Sequence, residues 1–281
     1  MKNIIFDLDG TILEKDLTLS LETVECIKKI SKNNIISIAT GRSLVGIPQS
    51  VSSIESCISF YVTTNGAFVY DKNKNIIYKD PIGFNNAISF IKEISEFNVF
   101  LEVLSEEKWH MCSHDLEKLT SLNLSQKTLN YILSTRTKHD DLLSFIIHNS
   151  IEVDKISVNI CSDASRIEIE PVVEKLCKKY DLRCCSDKAH KIDVYKQTTN
   201  KGNAIKFLSS FSGVDLTNTI SFGNDENDIE MFNLSGFSIC MPTIFSKAKK
   251  NASYVVRNNN EARISRCIRQ LKYNKGINLF R

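Results

Sequence analysis

Proline and glycine are scarce in this chain, 4 and 10 of 281 residues. That excludes collagen-like repeats and Pro/Gly-rich linkers. Long apolar runs are missing too. A membrane-spanning helix needs about 18–20 consecutive apolar residues. The longest stretches here, such as 99–104, are strand-sized and already carry Glu102. No leader pattern opens the chain, because Asp7 and Asp9 interrupt the apolar start made by Ile4-Ile5-Phe6. The sequence therefore predicts a cytoplasmic protein with no membrane partner. Neither sign of charge dominates: 36 Lys+Arg against 33 Asp+Glu leaves +3, too small a surplus to argue a nucleic-acid partner. Nine cysteines occur without regular spacing and without a Cys-x-x-Cys. The expectation is reduced, mostly buried thiols. The adjacent Cys184-Cys185 would point to opposite faces of a strand.

What is present suits a packed globular chain: 42% hydrophobic and 25% charged residues, over a length that suggests two domains. Ile4-Ile5-Phe6, 35–39 and Phe60-Tyr61-Val62 read as short buried strands, each ending in a polar turn. Leu21, Val24, Ile27 and Ile30 recur at helical spacing behind an N-cap at Ser20. Strands alternating with helical segments predict a parallel sheet with crossovers. Segments 67–71 and 76–79 look like a hairpin.

From residue 84 the pattern changes. A helix at 84–97 precedes paired strands at 99–104 and 108–112, then a polar stretch to about 150. A strand at 155–160, a helix at 172–180 and a strand at 182–185 come next. Alternation resumes near 190, with strands at 192–195, 219–222 and 237–241. The predicted class is α/β: a parallel-sheet core at 1–80 and 188–281, split by an inserted α+β domain at 81–187.

In open parallel sheets, ligands bind beyond the carboxyl ends of the strands. Polar clusters sit there: Asp7-Leu8-Asp9-Gly10-Thr11, Thr40-Gly41-Arg42, Asn65-Gly66, and Gly223-Asn224-Asp225-Glu226-Asn227-Asp228. Lys201-Gly202 opens a helix on the same rim. Carboxylates, hydroxyls, a lysine and tight turns suit a divalent cation with a phosphoryl group. Asp7 can address both, and carboxylates do form aspartyl-phosphates. Asp9 is near enough to protonate a leaving oxygen and later deprotonate water. Two close carboxylates favour a shared cation. Mg2+ is hard and takes oxygen from carboxylates and phosphates. By itself, Asp-x-Asp-Gly-Thr is equally a solvated turn; the other clusters shift that balance. Thr40 offers a hydroxyl and the Gly41 turn offers N–H donors to phosphate. Lys201 can neutralise phosphoryl charge, and 223–228 can complete the cation shell.

Taken in order, these clusters resemble the four motifs of the haloacid dehalogenase (HAD) superfamily. The long insert after Thr64-Asn65-Gly66-Ala67 is similar to that of its Cof-type, class IIB phosphatases. The resemblance covers the whole chain. It implies a Rossmann-like core carrying a cap domain that closes over the site and selects the substrate. It implies a Mg2+-dependent phosphatase acting on a small phosphorylated metabolite, such as a sugar phosphate, pyridoxal phosphate or flavin mononucleotide. Asp7 would be nucleophile and Mg2+ ligand. Asp9 would be general acid/base and would bind Mg2+ through its backbone carbonyl. The Leu8 backbone, Thr40 and Gly41 would hold the phosphoryl group, with Arg42 and Asn65 beside them. Lys201 would neutralise charge, Asn227 would orient phosphate, and Asn224 and Asp228 would complete the metal set.

One departure stands out. The family motif carries Asp directly after the glycine, where this chain has Asn224. An amide oxygen ligates Mg2+ without charge, so a weaker site is expected, with Asp225 or Asp228 compensating. Two rival readings use the same residues: a phosphotransferase such as a sugar phosphomutase, and a catalytically silent phospho-ligand sensor. Elsewhere, His110, Cys112 and His114 alternate as ligands on one strand face would. The expectation is instead a cap strand facing the active site, with Trp109 as a packing residue. Residues 134–141 are expected to form a loop, and Lys247, Lys249 and Lys250 a solvated face.

Overall fold

The computed structural model describes residues 1–122, 125–160, 163–186, 191–256 and 264–275. The chain divides into two compact units, Met1–Lys79 with Asn200–Arg281, and Asp80–Thr199. The first begins with β1 (Asn3–Phe6), α1 (Leu21–Ile30), β2 (Ile35–Ala39), β3 (Ile58–Thr63), β4 (Phe68–Asp71) and β5 (Ile76–Lys79). The second contains α2 (Phe84–Ile94), β6 (Val99–Ser105), β7 (Lys108–Cys112), α3 (Leu116–Ser121), α4 (Gln126–Thr135) and β8 (Arg136–His139). It continues with α5 (Leu142–His148), β9 (Lys155–Ile160), α6 (Asp163–Lys179), β10 (Leu182–Ser186) and β11 (Lys191–Lys196). The first unit then resumes with α7 (Lys201–Ser212), β12 (Thr219–Gly223), α8 (Ile229–Leu234), β13 (Phe237–Cys240), α9 (Ser246–Asn251), β14 (Tyr254–Val255) and α10 (Ile264–Lys275).

In the first unit the strands run in the order β14-β13-β12-β1-β2-β3-β4-β5. The run from β14 to β3 is parallel, and β4 and β5 add an antiparallel hairpin. Both faces of this sheet are covered. Ile4, Phe6, Ile36, Ile38 and Phe222 pack with α1 and α10 on one side. Ile5, Ala39 and Val62 pack with α7 and α8 on the other. That is why these strands read as unbroken apolar runs rather than alternating ones. Each fully buried Ile or Phe contributes about 1.5–3 kcal/mol, so β1, buried at every residue, is a rigid mount for the turn that begins at Asp7. The Ser20 hydroxyl caps α1 by accepting the Thr23 N–H at 3.3 Å.

The second unit holds a six-stranded sheet ordered β10-β11-β9-β6-β7-β8. Val99, Leu101 and Val103 of β6, with Ile156, Val158, Ile192 and Val194, form one apolar face against α2 and α6. Among the alternate residues is a cluster of paired charges. Arg136 Nε donates to Glu102 Oε1 at 2.6 Å, and Lys155 Nζ stands 2.5 Å from Asp193 Oδ2.

The strand pairing and helix bounds correct three expectations. The strand expected at 192–195 and assigned to the core spans Lys191–Lys196 and pairs antiparallel with β9 and β10, so the second crossing between units falls at 199/200. Short apolar strands look alike in sequence, and only pairing tells which sheet they join. The expected loop at 134–141 contains β8, parallel to β7. Its charge hid it, although Arg136 is neutralised by Glu102 and lies 4.7 Å over the buried Trp109 ring. The helix expected at 172–180 spans Asp163–Lys179 and carries Pro171 inside, a residue type that usually ends or kinks a helix. No helix among the described residues is long and apolar enough to cross a membrane.

Candidate active site

β1 lies where the chain reverses direction across the first sheet, between β12 and β2. At such a switch point the adjoining crossovers diverge and open a crevice beyond the strand ends. Asp7 is the first residue past β1, and its N–H still bonds Phe222 O at 2.9 Å. The chain then turns tightly through Leu8–Ile12. Gly10 makes this possible. Its φ is +73°, and a Cβ there would lie 2.4 Å from the Asn224 side-chain amide. The Leu8 side chain is wholly buried, which leaves only its backbone to face a ligand.

Lys201 arrives from far along the chain. It opens α7, whose N-cap Asn200 accepts the Asn203 N–H at 2.7 Å. Its side chain is 0% exposed, and Nζ donates to Asp7 Oδ1 and to Asp228 Oδ1, both at 2.7 Å. The second Asp228 oxygen accepts the backbone N–H groups of Asn224 (2.8 Å) and Asp225 (3.0 Å). Both Asp228 oxygens are therefore engaged by the protein. The sequence pointed to Asp228 as a metal ligand; its place is instead behind Lys201, tying the 224–228 turn to the ammonium. Gly223 allows this, since a Cβ there would sit 2.5 Å from the Asp228 carboxylate.

The charges do not balance. Burial pushes the Asp7 carboxyl up to about 7; Lys201 opposes that rise, while Asp228 and Asp9 add to it. Burial alone would lower the Lys201 ammonium, but Asp228 and Asp7 outweigh it and hold the pKa above its ordinary value. One ammonium thus faces two buried carboxylates, with Asp9 on the rim, and a cation would relieve the deficit.

Asn224 supplies the geometry for one. Its inward amide atom lies 3.2 Å from Asp7 Oδ2, 2.9 Å from the Asp9 carbonyl oxygen and 3.1 Å from Thr11 Oγ1. Neighbouring ligands of an octahedral Mg2+ with bonds of about 2.0–2.1 Å stand about 2.9 Å apart. The amide's distances to a carboxylate and a peptide carbonyl lie close to that spacing, and all three groups offer the hard-oxygen chemistry. Among the described residues no three His, Cys, Asp or Glu side chains are grouped to hold a metal; this set uses a carbonyl and an amide instead. Asp225 does not take the place of Asn224. Its side chain caps its own turn by accepting the Glu226 N–H, and burial raises its pKa.

Arg42, expected beside phosphate, is paired with Asp9 instead: Nε and Nη2 donate to Asp9 Oδ2 and Oδ1, each at 2.7 Å. The Arg42 N–H also donates to Thr40 Oγ1 at 3.2 Å. Asn65, at φ +55°, donates its own N–H to Thr40 O at 3.0 Å and accepts from Asn227 Nδ2 at 2.9 Å. A Cβ on Gly41 would stand 3.0 Å from Asn65 Oδ1. Thr40, Gly41, Asn65 and Asn227 are thus stitched together next to the Asp7 rim. Sequence reasoning missed the role of Thr11 and the Arg42–Asp9 pairing. Thr11 lay inside the first cluster, but nothing local marked its partner.

The histidines singled out from sequence lie in the second unit. His110 Nδ1 and His139 Nε2 are 3.0 Å apart, and Cys112 Sγ lies 3.5 Å from His114 Nδ1 and donates to Asp140 O at 3.3 Å. His114 is past the end of β7, so it does not share the strand face. His110 and His139 pack on Phe145 of α5, with centroids at 5.0 and 3.7 Å. The face of β7 that carries His110 is covered by that helix.

Compared with known proteins, the chain matches the family model described as haloacid dehalogenase-like hydrolase over residues 4–268. It is 23% identical over 285 residues to 5-amino-6-(5-phospho-D-ribitylamino)uracil phosphatase YwtE of Bacillus subtilis, covering 96% of this chain and 98% of that one. A crystal structure from Thermotoga maritima superposes with TM-score 0.76 at 20% identity, over 96% of this chain and 97% of that one. A sugar phosphatase of HAD subclass IIB superposes with TM-score 0.74 at 21% identity, over 96% and 99%. At these identities both structures speak for the fold.

Proposed function

The chain belongs to the haloacid dehalogenase-like hydrolases, and on that premise we propose that it is a Mg2+-dependent phosphatase of small organic phosphate monoesters. Asp7 attacks phosphorus through a carboxylate oxygen, forming an Asp–O–P bond as the ester P–O bond breaks. Asp9, once released from Arg42 and protonated, gives that proton to the departing alcohol oxygen. It then takes a proton from the water that attacks the aspartyl-phosphate, releasing phosphate and restoring Asp7. Lys201 holds Asp7 in place and offsets the negative charge that gathers there. Arg42 fixes the direction of the Asp9 carboxylate. Asp7, the Asp9 carbonyl and Asn224 would hold Mg2+, which would supply charge neutralisation at the phosphate.

The observation that carries this reading is the buried Lys201 ammonium, 2.7 Å from both Asp7 and Asp228 and next to the Asp9 turn. The phosphate-ester names of the B. subtilis relative and of the sugar phosphatase favour a phosphorylated polyol or sugar as the substrate class. The test is phosphate release from a panel of phosphorylated metabolites with Mg2+, comparing the native protein with Asp7→Asn. Turnover of at least one ester by the native protein, abolished in a folded Asp7→Asn, is expected. Near-native turnover by the variant would remove Asp7 as nucleophile.

A further inference from the structure

One side chain in the site faces two incompatible demands. Of the three oxygens around the inward atom of the Asn224 amide, Asp7 Oδ2 and the Asp9 carbonyl, at 3.2 and 2.9 Å, are acceptors. Hydrogen bonding therefore asks for the amide nitrogen inward, its two N–H groups shared among Asp7, Asp9 and Thr11. A cation on Asp7 and the Asp9 carbonyl asks for the reverse. The amide oxygen must then turn inward, and in that orientation the Thr11 hydroxyl donates to it at 3.1 Å. Both orientations occupy the same space, because the two ends of an amide are nearly the same size. A carboxylate meets only the second demand. With no N–H to donate, it would press further negative charge against Asp7 and the carbonyl.

We propose that Asn224 is a two-way ligand: its nitrogen holds the pocket together without a cation, and its oxygen ligates the cation when one binds. This inference rests on the phosphatase reading and adds to it that residue 224 sets how tightly, and how obligatorily, the cation is held. Binding must break the two N–H bonds and gains no charge from the amide. The cost is lower affinity; the return is a pocket that stays assembled on its own.

The test is Asn224→Asp, read without any substrate. Calorimetric Mg2+ titration is expected to give at least tenfold tighter binding in the variant. Thermal melting is expected to show a lower midpoint than the native protein in EDTA and a larger rise on adding Mg2+. Equal Mg2+ affinity and equal midpoints in EDTA overturn the proposal. The native protein gives a second measurement that does not depend on the variant folding. NMR hydrogen exchange of the Asn224 side-chain amide should be slow in EDTA and fast at saturating Mg2+. Unchanged exchange overturns the proposal. Absence of Mg2+ binding in both forms overturns it along with the cation of the proposed function, whereas equal binding leaves that function standing, so the two failures are distinguishable.

Discussion

Lys201 Nζ stands 2.7 Å from Asp7 Oδ1 although 194 positions separate the two residues, and the same nitrogen reaches Asp228 at 2.7 Å. All three side chains are buried. An ammonium sealed between two carboxylates cannot be removed alone without leaving like charges to face each other in a poorly solvated space. Lys201→Met should lower stability by about 3–5 kcal/mol, the usual cost of breaking a buried ion pair. The double variant Lys201→Met/Asp228→Asn should lose clearly less. Urea denaturation of the three proteins in EDTA checks this, and a double variant as unstable as the single one contradicts it.

The pair at the rim behaves differently. Asp9 and Arg42 side chains are 47% and 31% exposed, so solvent screens their ion pair. Arg42→Ala should therefore change stability by no more than about 1 kcal/mol. Turnover should fall by about tenfold or more, because a positioned general base contributes about 10²–10⁴ in rate and Arg42 holds the Asp9 carboxylate that takes the proton from the attacking water. Steady-state kinetics beside a thermal melt would separate the two effects. A fall in midpoint matching the fall in kcat would assign Arg42 to stability instead.

Gly10 connects the turn to Asn224, a ligand of the proposed cation. Gly10→Ala places a side chain at φ +73° and a Cβ 2.4 Å from the Asn224 amide. The left-handed backbone alone costs about 1–2 kcal/mol. Displacement of Asn224 should weaken Mg2+ binding as well. Calorimetric titration is expected to show weaker binding in a variant that remains folded, and native affinity would mean the turn yields without moving Asn224.

The histidine pair of the second unit should make stability depend on pH. Burial, then His139 and Lys108, lower the His110 pKa; burial lowers that of His139, with Asp140 opposing. Phe145 of α5 covers both rings and brings no charge, while Asp141 and His148 flank the same groove. Both folded values lie below the ordinary 6.5. The unfolded chain therefore takes up protons first as pH falls, so stability present above about 6.5 is lost as pH drops through the folded values. The melting midpoint should decline more steeply below that pH in the native protein than in His139→Gln. Parallel curves would show that the pair contributes nothing to the slope.

Much of this was legible in the residues. The buried strands announced themselves because a sheet covered on both faces leaves no polar alternation, and the polar turns at their ends stood out against them. Asp7, Asp9, Thr40, Lys201 and Asn224 were nameable for that reason. The polar strand β8 was not, because its charges are satisfied by Glu102 on another strand rather than by anything nearby in sequence.

The amino-acid sequence alone determined which residues end the core strands, and so which chemistry gathers at one rim, because strand burial and turn composition are local properties. Only the tertiary structure decided the partners. Arg42 serves Asp9 across 33 positions, Thr11 meets Asn224 across 213, and Asp228 spends both oxygens behind Lys201. Asn224 rather than Asp225 stands beside Asp7. Such pairings depend on how whole elements pack, and the same side chain accepts any complementary neighbour that packing delivers.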